Sequence, residues 1–488
     1  LARPNLLFIL TEQQQAQTTE PGSQCQMPAL NRLAAQGIRF TRAYTVNAIC
    51  SPARASLFTG ALPTTHGMVD CTHTVEPYRA EFDSSLETWS QRLQALGYRT
   101  GFFGKWHVER TNRLENFGWD EYELTGSPQF TQYRRGLGLP DKPADFSLQH
   151  WVRHKGYRDF LLYGAYDEPA EGTSEHYLVS RGMDFISRAA GDGAPWCVCL
   201  SVTAVHDPYL VPTQYYRRYD PDSITKPANH DDDLAARPGI YRRMRSVWRD
   251  MTWRNYAEAT ACYYGFCSLV DDQVDRILCY LEETGQAENT IIIYCTDHGE
   301  MMGAHGLMHK GVFPFEEGYR IPLIVHWPGH IPAGTTCERL VNTHDLAPTI
   351  VDMVGAEPLP RSEGRSLAPL LQGRTPEGWV DEAYAEFQGQ RFAWTQRIVW
   401  EPRFKYVFNG FDYDELYDLE ADPHEMNNLA QDPAYADVAE RMAARMWARA
   451  KATGDHNLYN AQYPMFRFAP VGPESEDWNP AAHESGGA

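Results

Sequence analysis

The sequence predicts an α/β protein: a doubly wound mixed sheet with helices on both faces, followed by a smaller C-terminal α+β subdomain. Three observations predict it. Short continuous apolar runs at Asn5–Leu10, Trp196–Ser201 and Thr290–Cys295 read as strands buried on both faces. Helical patterns alternate with such strands over about the first 350 residues, the signature of a βαβ-built core. Near residue 370 the composition shifts, and Gly373 and Pro376 mark a joint. The expected domains are therefore residues 1–372 and 373–488.

Asn5–Leu10 ends in the polar run Thr11-Glu12-Gln13-Gln14-Gln15. In open α/β sheets ligands gather at the carboxyl ends of strands. Pro28–Gln36 carries Leu30, Leu33 and Ala34 on one face and stops at Gly37, which predicts a helix. Ile38–Tyr44 alternates as a strand. Ser84 and Glu87 have capping-box spacing for a helix carrying Leu86, Trp89, Leu93 and Leu96 and closed by Gly97. A strand over Tyr98–Phe103 follows, then Gly104-Lys105-Trp106-His107. Residues 108–175 are aromatic, Arg- and Asp-rich and poor in periodicity. Long irregular segments in compact domains are often functional, so this one is expected to be a substrate-facing insertion. A helix near Tyr177–Ala189 precedes Trp196–Ser201, and Ala204-Val205-His206-Asp207-Pro208-Tyr209 comes after it. Residues 213–250 form a second polar excursion. A long helix is predicted over Thr252–Thr284, with Gly285 as its stop. The strand Thr290–Cys295 ends in Thr296-Asp297-His298-Gly299-Glu300. Ile321–Val325 reads as a strand and Asp345–Val354 as a helix. Beyond the joint, Phe392–Val407 is expected to hold antiparallel strands and Ala434–Thr453 a helix. The tail after Pro470 is polar and is expected to be mobile.

Composition bounds the function. A chain of 488 residues can bury a large core, and 43% hydrophobic with 22% charged residues is ordinary for a globular protein. A formal net charge of −20 argues against nonspecific binding to nucleic acid or anionic membranes. An anionic small substrate remains compatible, because a local cationic pocket dominates nearby. The ten cysteines are scattered without a Cys-x-x-Cys pair, and Cys197, Cys199 and Cys295 fall inside apolar runs. They read as mostly free structural thiols, not a disulfide framework. No run has transmembrane length and no signal-peptide pattern is visible, but Leu1 is not a natural start. The expected compartment is periplasmic or secreted if a leader has been removed, and cytoplasmic otherwise.

The stretch with the most chemistry is Cys50-Ser51-Pro52-Ala53-Arg54, with Thr59-Gly60 behind it. Pro52 suits a first helical position. Cys50 would then sit at a helix N-terminus, where unpaired N–H groups and the dipole favour an anion and lower a thiol's pKa. Arg54, one turn on, is placed to meet the same anion. Taken alone, Cys-Ser-Pro is more often an inert buried thiol beside a solvated helix residue.

The longer string resembles the signature of the sulfatases, in the alkaline phosphatase superfamily, and further segments follow in that family's order over residues 4–430. The resemblance implies that a formylglycine-generating enzyme oxidises Cys50 to formylglycine, whose hydrated aldehyde attacks sulfur and later collapses to expel sulfate. It implies one divalent cation, Ca²⁺ with Mn²⁺ as the alternative, held by Glu12, Gln13, Asp297 and His298 with a hydroxyl of modified Cys50. Glu12 departs from the family's usual aspartate. Gly104-Lys105-Trp106-His107 resembles the family's second motif, in which the lysine grips sulfate and the histidine assists elimination. By the same resemblance Arg54 steadies the hydrated aldehyde and Asp297 takes the attacking hydroxyl's proton. Lys310, in Gly303–Gly311, contacts sulfate and leaving group. His206, alone or with Lys310, protonates the departing alcohol. His305 and His309 are expected as pocket walls without assigned roles.

The implied substrate is a small-molecule or oligosaccharide sulfate ester, of a carbohydrate or an aryl alcohol. Two rivals stay open. One is a phosphonate monoester or phosphodiester hydrolase of the same superfamily; Gln13 and His298 resemble that branch, which tends to use Mn²⁺, whereas Lys105 and His107 do not. The other is a catalytically inactive binding homologue, suggested by Glu12. The sequence does not fix the oligomeric state.

Overall fold

The computed structural model describes residues 3–73, 76, 80–390, 392–455, 458 and 469–473. In chain order the strands before the C-terminal part are β1 (Asn5–Thr11), β2 (Ile38–Tyr44), β3 (Arg99–Gly104), β4 (Glu121–Leu124), β5 (Phe146–Val152), β6 (Phe160–Tyr166), β7 (Trp196–Ser201), β8 (Tyr209–Pro212), β9 (Thr290–Thr296), β10 (Arg320–His326), β11 (Thr335–Cys337) and β12 (Val341–Asn342). Nine of them form one mixed sheet in the order β11-β2-β10-β9-β1-β7-β3-β4, with β12 also paired to β2. β10 runs antiparallel to both neighbours, and β9, β1, β7, β3 and β4 are mutually parallel. This is the doubly wound mixed sheet the sequence predicts.

β1 lies at its centre and explains the unbroken apolar runs. Leu6, Phe8 and Leu10 enter one core, and Leu7 and Ile9 the other, so neither face meets water. Helices Cys50–Thr59, Trp89–Ala95 and Leu346–Met353 cover the first face. Helices Pro28–Gln36, Ser174–Gly191 and Trp253–Glu283 cover the second. Register makes the carboxyl ends level: Thr11 pairs with Thr296, and Leu10 and Gly104 both pair with Ser201. Four parallel strands therefore release their following residues at one edge.

Local structure departs from expectation in four places. Helix Cys50–Thr59 starts at Cys50 itself, so Pro52 is its third residue rather than its first. A third-position proline still costs no hydrogen bond, because the first intrahelical donor is the Ala53 N–H, to Ile49 O at 3.1 Å. The helix ends on Gly60 at φ +74°, the left-handed cap glycine adopts most readily. Helix Trp89–Ala95 is capped by Thr88 and Gln91, not by Ser84 and Glu87, and Leu86 precedes it. Residues 108–175 are not irregular: they supply β4 to the main sheet, a helix Pro128–Gly136, and β5 and β6 of a second sheet in the order β5-β6-β8. The C-terminal sheet begins earlier than residue 392, with β13 (Ala383–Gly389), β14 (Ala393–Trp400), β15 (Phe404–Asn409) and β16 (Glu415–Asp418), all antiparallel.

Helix Ala436–Ala452 packs Met442 and Met446 against Tyr406 and Phe408 of this sheet. Val46 and Leu62 join the same core, and Asn47 Nδ2 donates to Glu386 O at 2.6 Å. The C-terminal sheet thus braces the loop that leads into Cys50. Among the described residues no disulfide forms and no helix is long and apolar enough to cross a membrane. Most of the polar tail expected after Pro470 lies outside the described residues.

Candidate active site

Each strand end contributes one part of the cluster. β1 delivers Glu12 and Gln13, β9 delivers Asp297 and His298, β3 delivers Lys105 and His107, and β7 is followed by His206. The strands must approach closely at this edge. A Cβ on Gly104 (φ +128°) would fall 1.8 Å from Ser201 O, so only glycine fits there. The segment after β3 turns at His107, whose φ is +54°.

Cys50 Sγ is the centre of the cluster, 3.1 Å from Glu12 Oε1 and 3.3 Å from His298 Nε2. Cys71 hydrogen-bonds to Cys50, and that contact holds the Cys50 thiol well below its ordinary range against the cost of burial. Lys105, Lys310 and His298 add to the effect. One donor atom from each of Glu12, Cys50, Asp297 and His298 lies within 4.8 Å of the others, and all four residues are buried.

The donors suit a divalent cation. Glu12 Oε2 is buried with no hydrogen-bond partner. His298 Nδ1 lies 2.9 Å from Gly299 O, which fixes the proton there and leaves the Nε2 lone pair facing the cluster. Burial works against the charge on Asp297, but His298 and the Arg54 guanidinium hold its carboxyl below the ordinary value. Gln13 stands beside these donors with its amide engaged: Oε1 accepts from Lys310, and Nε2 donates to Glu300 and, at 3.2 Å, to Asp207 Oδ1.

The cations are arranged around the same point. Arg54 Nε donates to Asp297 Oδ2 at 2.8 Å, and its Nη1 binds Lys105 O and Ser201 Oγ at 2.7 and 2.8 Å. Arg54 is thus tied to Asp297 and the backbone, with its buried Nη2 unpartnered. Lys105 pairs with Glu12. Burial opposes the charge of both Lys105 and Lys310, yet the surrounding anions, Cys50 and Glu12 among them, raise both above the ordinary lysine value.

The two histidines are driven apart. Burial lowers His107, whose Nδ1 is buried without a partner. Burial and Lys310 also oppose the charge of His206, but Glu12, Asp207 and the contact with Cys50 outweigh them and hold it up at about 9.

Several residues at the site were not identified from the sequence. Asp207 stays ionised despite burial because His309, His206 and Lys310 surround it. His309, expected from the sequence as a pocket wall, meets the rings of Phe160, Tyr209 and Trp248. Glu300 accepts from the Gln13 amide and from the His309 N–H, so it fixes the wall beside Lys310. His305 does not share this wall; its Nδ1 lies 2.7 Å from Asp232 Oδ2 and it stacks on Phe315 in the core. Cys71 and His73 also reach the site.

This fold, with a buried thiol, an acidic cluster and paired lysines at the carboxyl edge of a doubly wound sheet, defines an ester hydrolase of the alkaline phosphatase type. The chain belongs to the sulfatase family: the Sulfatase model matches residues 4–356, and an N-sulphoglucosamine sulphohydrolase C-terminal model matches residues 303–452. It is a sulfuric ester hydrolase. It is 30% identical to a choline-sulfatase of Rhizobium meliloti, over 88% of this chain and 83% of that one. It is 27% identical to an N-acetylglucosamine-6-O-sulfatase of Bacteroides thetaiotaomicron, over 95% and 89% respectively. Among solved structures it is similar to a phosphonate monoester hydrolase from Silicibacter pomeroyi, with a TM-score of 0.79, 25% identity, and coverage of 93% and 97%.

Proposed function

We propose that this chain hydrolyses a carbohydrate sulfate ester, with Cys50 converted to formylglycine and one Ca²⁺ held by Glu12, Gln13, Asp297, His298 and residue 50. The observation that carries the reading is the convergence of two lysines, two oppositely shifted histidines and a buried acidic cluster on the one side chain of residue 50. Cys50 Sγ stands where an oxygen of the modified residue would lie. Cys50 is 2% exposed, so the formylglycine-generating enzyme must reach it before the chain closes.

When bound, the cation supplies positive charge beside residue 50 and beside a sulfate oxygen. The remaining steps belong to the chain. Lys105 and Lys310 offer preorganised charge where the sulfuryl oxygens gain it. Asp297, held by Arg54, is oriented to take a proton from the attacking hydroxyl. His206 carries a proton near neutrality and suits the departing alcohol. His107, kept neutral by burial, suits proton removal from residue 50 in the second half of the reaction. Two imidazoles pushed in opposite directions divide the acid from the base.

The chemistry of the wall beside Lys310 favours a sugar over choline in this reading. His309 meets the rings of Phe160 and Trp248, and its Nε2 lies 3.8 Å from Asp207 Oδ2. The charge of Asp207 is already balanced by His206, His309 and Lys310, so the wall offers hydrogen bonds more than net negative charge. A phosphonate monoester hydrolase using Mn²⁺ is the second reading, favoured by the imidazole donor of His298.

The test is peptide mass spectrometry across Cys50 on protein made with the modifying enzyme, followed by kcat/KM for glucosamine 6-sulfate, choline sulfate, an aryl sulfate and a phenylphosphonate ester. The expected result is a formylglycine mass and highest kcat/KM for the sugar sulfate. Higher kcat/KM for the phosphonate ester would replace this reading with the second.

A further inference from the structure

A second group of metal-type donors lies next to the site. Donor atoms of Cys71, His73 and His107 all lie within 4.8 Å of one another. The segment that carries the first two is anchored. Thr72 N donates to Ser51 Oγ at 3.2 Å, Cys71 N donates to Asp70 Oδ1 at 2.6 Å, and Arg110 reaches Thr72 O. His73 Nδ1 faces His107 Nε2 at 2.9 Å, with the rings stacked at a centroid distance of 5.0 Å. Two imidazole nitrogens bound to one tetrahedral zinc, each at about 2.0–2.1 Å, stand roughly 3.3 Å apart, so a few tenths of an ångström separate the two arrangements.

We propose that Cys71, His73 and His107 form a second cation site, selective for a thiolate- and imidazole-preferring divalent ion such as Zn²⁺, and that filling it switches His107 off. The donor set differs in kind from the cluster of Glu12, Asp297 and His298. One sulfur and two nitrogens select Zn²⁺ over Ca²⁺, which takes oxygen ligands.

The consequence for His107 comes from its tautomer. Nδ1 is the buried, unpartnered nitrogen, and it accepts a proton only if Nε2 carries the ring proton and donates it to His73 Nδ1. A cation on Nε2 takes the place of that proton. The one proton left on the neutral ring then sits on Nδ1, where the lone pair was. On binding, the Cys71 thiol releases its proton to solvent, and the proton of His107 moves from Nε2 to Nδ1. The site therefore competes with proton removal at residue 50 without touching the sulfate subsite. The inhibitory half rests on the role proposed above for His107; the binding half does not.

The two halves are tested separately. Binding is measured on the Cys50→Ser protein with saturating Ca²⁺, titrated with Co²⁺ as the spectroscopic probe. One equivalent giving a near-ultraviolet thiolate-to-cobalt band is expected. The band should vanish in Cys50→Ser/Cys71→Ser and need at least tenfold more Co²⁺ in Cys50→Ser/His73→Ala. His73 is exposed, so the second variant keeps the test open if the first does not fold. No band, or one that survives both changes, overturns the site. Inhibition is measured on the converted enzyme, where the concentration of Zn²⁺ for half-inhibition should rise at least tenfold in His73→Ala. A normal cobalt band with equal Zn²⁺ inhibition in both proteins keeps the site and overturns the switch.

Discussion

Arg54 Nε donates to Asp297 Oδ2 across 2.8 Å, and neither side chain has any exposure to solvent. A buried pair is a poor source of net stability, because both charges lose their hydration, but removing one partner strands the other. Arg54→Ala should therefore cost about 3–5 kcal/mol of folding stability. The measurement is urea unfolding of protein made without the modifying enzyme, so that parent and variant both carry Cys50. Adding Asp297→Asn removes the stranded charge and should recover part of the loss; a strictly additive double variant would show that the pair is not coupled.

Lys105 pairs with Glu12 and borders the point where sulfuryl oxygens would gain charge. Lys105→Ala should lower kcat/KM for the sugar sulfate about 10²–10³-fold, the usual effect of losing one preorganised donor. Stability should fall less than activity does. Near-normal turnover in a folded variant would remove Lys105 from the sulfate subsite.

The residues past β1, β7 and β9 were legible because buried parallel strands leave an unbroken apolar run, and the polar residues just past such a run stand at the sheet edge. Glu12, His206 and Asp297 lie past such runs, whereas Lys105 follows the mixed segment Tyr98–Phe103, and the roles expected of all four come from the resemblance to the sulfatases. Boundaries set by side-chain hydrogen bonds were less legible. Thr88 and Gln91 won the capping contest over Ser84 and Glu87 because Ser90 and Thr88 also bind Phe117 O, a contact no local pattern contains. The strand Phe146–Val152 was missed although its burial alternates residue by residue, because exposed Trp151 and half-buried His150 blur the polar and apolar positions. Cys71 and His73 were missed for another reason. Their partner His107 lies 34 positions beyond His73, and only folding brings the rings together.

Glu386, outside the cluster around Cys50, gives a pH signature of its own. Its Oε2 accepts from Thr64 N and Oγ1 at 2.8 and 2.7 Å, while Oε1 is buried without a partner. Burial pushes the carboxyl up to about 7, with Arg397 opposing only in part. The folded state thus holds a proton between the ordinary glutamate value and about 7 that the unfolded chain has released. Stability from this group is full at low pH and falls as pH rises through that window, by about 3 kcal/mol in all. Glu386→Gln keeps an acceptor for Thr64 and has nothing to ionise, so its stability relative to the parent should climb by that amount between pH 4.5 and 8. An offset between the two unfolding free energies that stays constant with pH would refute the assignment.

Cation binding should appear in stability as well as in turnover. The unpartnered Oε2 of Glu12 gains a partner only when an ion is bound, the His298 Nε2 lone pair faces the same point, and an ion that binds the folded state alone stabilises it by mass action. At a Ca²⁺ concentration a hundredfold above its Kd the gain is about 2.7 kcal/mol, visible as a rise in Tm that chelation reverses. Asp297→Asn should abolish the rise. His73→Ala should leave it intact, because a hard cation held by oxygen donors draws nothing from Cys71, His73 and His107. Zn²⁺ should give the opposite pattern, with stabilisation that depends on His73 and persists in Asp297→Asn. If one set of residues governs the response to both ions, the chain has a single cation site, and the division between the acidic cluster and the thiol–imidazole group is wrong.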